Sequence, residues 1–312
     1  MKTVFVTAVG GDIGYGVVKA LRASDNALRI IGCDIKEYNA SRDLVDAFYL
    51  SPPYDDPLKW LTFIRRVLAE EACDYFWPVT EPEIRILMDM REPLTGGSVV
   101  MNTREVLDVA LDKKHTADFL AAQGIGTPLT LLPGDDMTLR FPCVVKERQG
   151  YGSHGVTVAG DESALSEALA RMHNPLIQES VGTPEEEYSL TVFSDGRVTN
   201  HIAFRRELGF GGMSRYVELV RDEAFAQIAL RVADALHLRG SVNVQLRRQD
   251  GDYYVFEINP RISSTIGFRM QLGFNDVAWW IDLMEGKEVA PYTAPNGRIH
   301  GARIVDEKLF YD

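Results

Sequence analysis

No stretch of this sequence stays apolar for the twenty or so residues that a helical membrane span requires. The amino terminus carries one lysine and then strand-like residues, so it does not read as a secretory signal, and a cytoplasmic location is expected. Cysteine is scarce. Cys33, Cys73 and Cys143 are odd in number, far apart and set in apolar segments, which fits buried free thiols in a reducing compartment. Positive charge is also short: 33 Lys and Arg stand against 45 Asp and Glu, a net charge of -12. That excludes a general nucleic-acid or anionic-membrane surface, yet not an anionic ligand held by local cations. No G-x-x-x-x-G-K-[ST] phosphate loop occurs. Histidines 115, 154, 173, 201, 237 and 300 lack metal-ligand spacing, and His154, set in a glycine-rich loop, is the one candidate for ligand contact. Repeats and low-complexity tracts are absent.

What is present begins with 3-TVFVTAVGGDIGYGVVKAL-21, an apolar strand, a glycine-dense turn and an amphipathic helix. A second apolar run ends at Asp34. This approaches a dinucleotide-binding pattern, but either alignment of the loop lacks one glycine: Val9 or Ala8 stands in its place. The one Y-x-x-x-K, Tyr15 to Lys19, lies beside the loop itself and cannot serve a short-chain dehydrogenase. Gly10, Gly11 and Gly14 are explained as well by a tight turn and close helix packing. Asp56-Pro57 opens a helix, 74-DYFWPV-79 reads as a strand, Thr80 and Glu83 have capping-box spacing, and 98-SVVMN-102 is another strand. The alternation predicts a parallel sheet flanked by helices.

The pattern changes near residues 103-112. Asp112 can cap a helix ending at Gly124. Strand 141-FPCVVKE-147, glycine turn 148-RQGYGSHG-155 and strand 156-VTVA-159 follow, then helix 162-172 and strand 175-PLIQE-179. From 187 the chain reads as antiparallel hairpins, 187-193 with 197-204 and 241-248 with 252-259. A strand near 214-220 and a helix over 222-238 lie between them. An α/β unit therefore precedes an α+β unit.

Two segments carry chemistry. In 142-PCVVKERQGYGSHGV-156 a strand delivers Lys146 to a loop with Gly150, Gly152 and Gly155, whose backbone can curl around a phosphate, and Ser153 adds a donor. In 241-SVNVQLRRQDGDYYVFEINPR-261 strand alternation puts Glu257 and Asn259 on one face, hard oxygen ligands suited to Mg²⁺ beside phosphates. Arg261 is a further cation. Gln245 joins that face only if it pairs with Glu257. A two-residue Asp250-Gly251 turn would place it opposite Phe256, whereas a three-residue loop places it opposite Glu257, and the longer loop is expected.

Five ordered segments resemble the ATP-grasp superfamily over nearly the whole chain: 112-DK-113 with 124-GIGTP-128, 142-PCVVKERQGYGSHGV-156, 176-LIQESV-181 with 187-EYS-189, 240-GSVNVQ-245 and 256-FEINPR-261. The pattern is most similar to one synthetase half of the carbamoyl-phosphate synthetase large subunit and to short amino-acid ligases. The resemblance implies a Rossmann-like pre-ATP-grasp domain (1-107) and a two-lobed ATP-grasp domain, with a small lobe (108-180) bearing the lid and a C-terminal lobe (181-312) bearing the metal site. It implies ATP and two Mg²⁺ as cofactors. Lys113 and Lys146 would hold phosphates under the 150-155 loop. Glu179, Ser180 and Val181 would meet adenine, and Glu187 the ribose. Gln245, Glu257 and Asn259 would hold metal, with Arg261 and Lys146 assisting phosphoryl transfer. Small-molecule carboxylate and amine partners are implied, joined through an acyl phosphate, and a homodimer is left open. Arg205, Arg206, Arg215 and Arg269, with Ser263 and Ser264, are candidates for the substrate pocket, against ordinary surface arginine. Two departures stand out. Glu147 replaces a proline and should point outward or pair with Arg148, and Lys114 doubles Lys113, which spacing to Gly124 favours. The alternatives are an ATP-grasp kinase, an NAD-dependent epimerase or dehydrogenase, and a silent nucleotide-binding module.

Overall fold

A computed structural model describes residues 1–90, 92–136, 140–150, 155–304 and 307–310. Contacts divide the chain into two units. One holds Met1–Asn102 with Arg261–Pro295 and the chain from Ile304, and the other holds Thr103–Pro260 with Asn296–Arg303.

The first unit is built on parallel strands β1 (Lys2–Val6), β2 (Leu28–Asp34), β3 (Ala47–Leu50), β4 (Tyr75–Trp77) and β5 (Ser98–Val99), in the order β3-β2-β1-β4-β5. Helices α1 (Asp12–Arg22), α2 (Pro57–Glu70) and α3 (Glu81–Met88) connect them. Their starts follow local chemistry. The Asp56 side chain accepts from Lys59 N–H to cap α2, and Thr80 and Glu83 form the expected capping box on α3. The apolar stripe of α2 (Trp60, Phe63, Ile64, Val67) packs on Phe5, Ile31 and Phe76. Strand β3 was not anticipated. It is short, lies at the sheet edge, and its half-buried residues show no alternation to read.

The second unit holds α4 (Arg104–Ala110), α5 (Lys113–Ala122), α6 (Glu162–Arg171) and α7 (Glu223–Ala235) with two sheets. The smaller sheet joins β6 (Thr130–Leu131), β7 (Cys143–Glu147), β8 (Thr157–Ala159) and β9 (Pro175–Glu179), in the order β6-β9-β7-β8. The larger is antiparallel, from β10 (Glu187–Ser194), β11 (Thr199–Leu208), β12 (Ser214–Val220), β13 (Gly240–Gln249), β14 (Asp252–Asn259) and β15 (His300–Ala302), in the order β14-β13-β10-β11-β12-β15. The tail of the chain thus adds β15 to the edge at β12.

One face of the larger sheet is apolar. Leu190, Val192, Val242, Val244, Leu246 and Ile258 pack against Phe225, Ala229 and Val232 of α7. Burying each such side chain is worth roughly 1.5–3 kcal/mol, and a one-residue slip would turn them all outward. The opposite face carries Glu187, Arg206, Gln245, Arg247 and Glu257 together with the buried Phe193, Ile202 and Phe204.

The chain after Arg261 corrects the expected 181-312 lobe, because helices α8 (Ile266–Arg269) and α9 (Asp276–Met284) belong with the first unit. Gly16 of α1 makes this approach feasible: a Cβ there would meet Ile266 Cγ2 at 2.2 Å. Asn275 Nδ2 also donates to the Ala20 carbonyl at 2.9 Å.

Candidate nucleotide site

A cavity of about 300 Å³ opens in the second unit, lined by residues of both its sheets and of α5. Lys146 stands in it at the carboxyl half of β7, 6% exposed. Its ammonium donates to Gln178 Oε1 at 2.9 Å and to the Phe256 carbonyl at 3.4 Å, and lies over the Phe256 ring. Gln178 is fixed in turn, donating to Thr130 Oγ1 at 2.8 Å. Burial lowers the Lys146 pKa to about 8; the Glu257 carboxylate opposes this shift and Lys113 adds to it.

Lys113 is the first residue of α5. Asp112 caps that helix and is clamped by Arg148 at 2.8 and 2.9 Å, while Lys113 N–H donates to the Arg148 carbonyl. The end of β7 and the start of α5 are thus tied together, so both lysines reach one cavity. Lys113 Nζ donates to the Gly150 carbonyl at 2.7 Å and sits 3.8 Å from Glu257 Oε1. Lys114 turns away to Asp118, in line with the preference for Lys113. Glu147 does not pair with Arg148. Its two oxygens accept from the His173 and Asn174 amides at 2.8 and 2.9 Å, which leaves Arg148 to Asp112. Gly150 lines the cavity and Gly155 has φ +73, a left-handed turn that suits glycine. Gly152, Ser153 and His154 lie outside the described residues.

Glu179 ends β9, and with Ser180 and Val181 it lines the cavity wall. Glu187 lines it too, but with both oxygens engaged: Arg206 donates to Oε1 at 2.8 and 3.2 Å, and Arg247 to Oε2 at 2.8 and 3.0 Å. Arg206 also donates to Gln245 Oε1 at 2.9 Å. Arg206 is therefore a buried member of this cavity, committed to Glu187 and Gln245, and it has no free fork for a substrate carboxylate.

Gln245 does pair with Glu257, by a route the sequence reading did not anticipate. The loop is the two-residue Asp250-Gly251 turn, since Gln249 pairs with Asp252; both turn residues have positive φ, 54° and 95°. The register then skips one residue, Leu246 facing Val255 and Gln245 facing Glu257. Phe256 is the extra residue of a β-bulge. Both Phe256 and Glu257 reach the cavity. Asn259 pairs with Asn243 one step further along and is buried.

The remaining substrate candidates do not gather. Arg205 points to the other face of the sheet, paired with Glu218. Arg215 is exposed on β12 and does not line the cavity. Arg269 is fully buried in the first unit, bidentate to Asp276 at 2.8 and 2.9 Å and bonded to Ser263 Oγ and Thr265 Oγ1 at 3.1 and 3.0 Å. Every edge of its guanidinium is spent, so it grips structure rather than substrate, and Ser263 is part of that grip. Ser264 is half-buried, and Arg261 donates to the Ile262 carbonyl at 3.1 Å. Gln178, Arg247 and Phe256 belong to the cavity and were missed. The β10–β11 register, with Tyr188 opposite Arg205, brings Arg206 beside Glu187.

Solved structures now bear on this geometry. N5-carboxyaminoimidazole ribonucleotide synthetase from Thermotoga maritima superposes with TM-score 0.71 at 18% identity, covering 94% of this chain and 78% of its own. The biotin carboxylase domain of Hydrogenobacter thermophilus 2-oxoglutarate carboxylase gives 0.74 at 17%, covering 97% and 74%, and L-amino acid ligase from Bacillus licheniformis gives 0.68 at 17%, covering 90% and 73%. The fold is ATP-grasp. In sequence, the model for ATP-grasp in the biosynthetic pathway with Ter operon matches residues 171–306. The carbamoyl phosphate synthase large chain of Methanoculleus marisnigri is 23% identical over 279 residues, 80% of this chain and 26% of that one. The large chain from Halomonas eurihalina is 29% identical over 248 residues, 62% of this chain and 22% of its own. This chain thus spans about a quarter of the length of those relatives. No helix among the described residues is long and apolar enough to cross a membrane.

Proposed function

We propose that this chain is an ATP-dependent ligase that joins a small-molecule carboxylate to an amine through an acyl phosphate, releasing ADP and phosphate. The observation that carries the reading is the convergence of Lys113, Lys146, Gln245 and Glu257 on one cavity beside the Glu179–Val181 wall. The two ammoniums suit phosphate oxygens, and the apolar Val144, Val156 and Leu208 suit a base. Amino acids are the proposed substrates, because the sequence pattern resembles short amino-acid ligases.

Mg²⁺ fits the donors present. Among the described residues the Glu257 carboxylate accepts no hydrogen bond and meets one ammonium at 3.8 Å, so its oxygens remain available. With Gln245 and Asn259 it offers a hard oxygen set. One carboxylate suits a cation completed by phosphates rather than an all-protein cage. When bound, the metal would neutralise phosphate charge as an oxyanion approaches. Lys146 and Lys113 would orient and neutralise the transferred phosphoryl group, and Arg261 is proposed to add charge there. Glu187 would meet the ribose through the lone pairs its arginines leave. The glycine-rich turn is proposed as the lid that keeps water from the acyl phosphate.

The dinucleotide alternative is disfavoured by the front turn. Asp34 Oδ2 accepts from Gly10 N–H at 2.8 Å and Oδ1 from Lys36 N–H at 2.9 Å, so the carboxylate braces its own loop. Gly14 packs against Ala8, whose carbonyl would lie 2.1 Å from an added Cβ.

Incubation with Mg-ATP, hydroxylamine and a panel of carboxylic and amino acids tests the reading. Carboxylate-dependent hydroxamate with ADP is expected. ADP without hydroxamate would favour a kinase, and NADH binding without ATP binding would overturn both. Glu257→Ala should abolish turnover with circular dichroism unchanged; retained turnover would remove the metal assignment.

A further inference from the structure

The first unit has a cavity of its own, about 330 Å³, at the carboxyl ends of its parallel strands. Residues after β1 (Ala8, Gly10, Gly11), β2 (Asp34, Lys36) and β4 (Thr80, Glu83) line it. Strand order runs outward in both directions from β1, so β1 and β4 flank the crevice where open parallel sheets accept ligands.

Glu83 is the unusual group there. It is 4% exposed. Its Oε2 takes three donors: Thr7 Oγ1 at 2.8 Å, Val79 N–H at 3.1 Å and Thr80 N–H at 2.9 Å. Its Oε1 receives none among the described residues, although Glu83 lines the cavity. The capping box accounts for one oxygen and leaves the other. A buried carboxylate with no cation is costly, and burial duly pushes the Glu83 pKa up. Asp34, also buried, lines the same cavity, and both carboxylates help burial to raise the thiol of Cys33. The cation among the lining residues is Lys36, which is exposed and makes no ion pair with either carboxylate. The rest of the wall includes Trp60, Pro52 and Tyr54.

We infer that this cavity binds the ammonium group of a small primary amine, an amino acid included, on Glu83 Oε1 beside Asp34. An ammonium supplies the missing positive charge and donates to the open oxygen. The volume suits an amino acid and is small for a dinucleotide. The inference rests on the ligase reading only in calling this amine the acceptor substrate.

The test is calorimetric titration of wild type and Glu83→Gln with amino acids, simple alkylamines and the matching acids lacking the amino group. Glutamine keeps the capping box and the acceptor for Thr7, Val79 and Thr80, but presents an amide NH₂ to the cavity. At least one amine should bind wild type and weaken about tenfold or more in Glu83→Gln, a loss of about 1.4 kcal/mol. The deaminated acids should not bind, and ATP affinity should be unchanged. Lys36→Gln, at an exposed position, should tighten amine binding about threefold by removing a like charge. Failure of every amine to bind wild type, equal binding by Glu83→Gln, or weaker binding by Lys36→Gln would overturn the inference. Glu83-dependent amine binding in a protein that forms no hydroxamate would instead overturn the ligase reading and leave this site standing.

Discussion

Raising the pH from 7 to 10 isolates Lys146. Its ammonium is buried with one amide oxygen and one carbonyl as acceptors, and its pKa is lowered to about 8 against 10.5 in the open chain. At pH 7 it is about nine-tenths charged. Bound phosphates would restore its pKa, so binding in this range should take up a proton. Above pH 8 the affinity for ADP should fall about tenfold per pH unit, or about 1.4 kcal/mol each. Phosphate oxygens titrate near pH 6 and lie below this window. The effect on folding has the opposite sign. Between pH 8 and 10.5 the unfolded chain holds the proton that the folded chain has lost, so Lys146 contributes rising stability, up to about 3 kcal/mol. Calorimetric titration of ADP and urea unfolding over this range measure the two slopes. Lys146→Met should flatten both. A level ADP profile in wild type, or an equal slope in Lys146→Met, would refute the assignment of Lys146 as a phosphate ligand with a depressed pKa.

Other outcomes follow from the buried pairs. Arg269→Met should cost about 3–5 kcal/mol in urea unfolding, because it strands Asp276 in a site with no solvent access; adding Asp276→Leu should recover most of that. A change in substrate KM at unchanged stability would return Arg269 to the substrate pocket. Glu187→Ala should cost about 3 kcal/mol, since Arg206, 6% exposed, loses its counter-charge; an unchanged unfolding midpoint would show that the pair is idle. Gly251→Val should cost about 1–3 kcal/mol through the positive φ of the turn, read by the same unfolding assay.

Local grammar carried most of what could be read from the chain. The caps at Asp56, Thr80 and Asp112 lie next to the helices they start, and strand alternation separated Glu257 from Ile258 without any knowledge of partners. Spacing to Gly124 favours Lys113 over Lys114, and Lys113 is the one that lines the cavity. What stayed hidden depends on residues far apart in sequence. Arg269 looks like any arginine until Asp276 and Ser263 close around it. Glu147 looks like a stray charge beside Lys146 until the chain entering β9 brings the His173 and Asn174 amides to it. The path after Arg261 was hidden for the same reason, because Gly16 of α1 leaves the space that Ile266 fills.

The β13–β14 pair shows how a wrong local step can sit beside a right pairing. A two-residue turn fixes odd-even parity for the whole hairpin, and by that parity Gln245 belongs opposite Phe256. In an unbroken strand Val255 would share the face of Glu257 and Ile258 would take the other, so the two could not both reach the core. The bulge at Phe256 resolves the conflict by spending one residue in the middle of β14. Val255 and Ile258 both stay in the core, although only two residues separate them, while Phe256 and Glu257 together face the cavity. An unbroken strand cannot place two consecutive side chains on one face. The bulge therefore does more than restore register: it lets one strand supply both the ring beneath the Lys146 ammonium and the carboxylate beside Lys113.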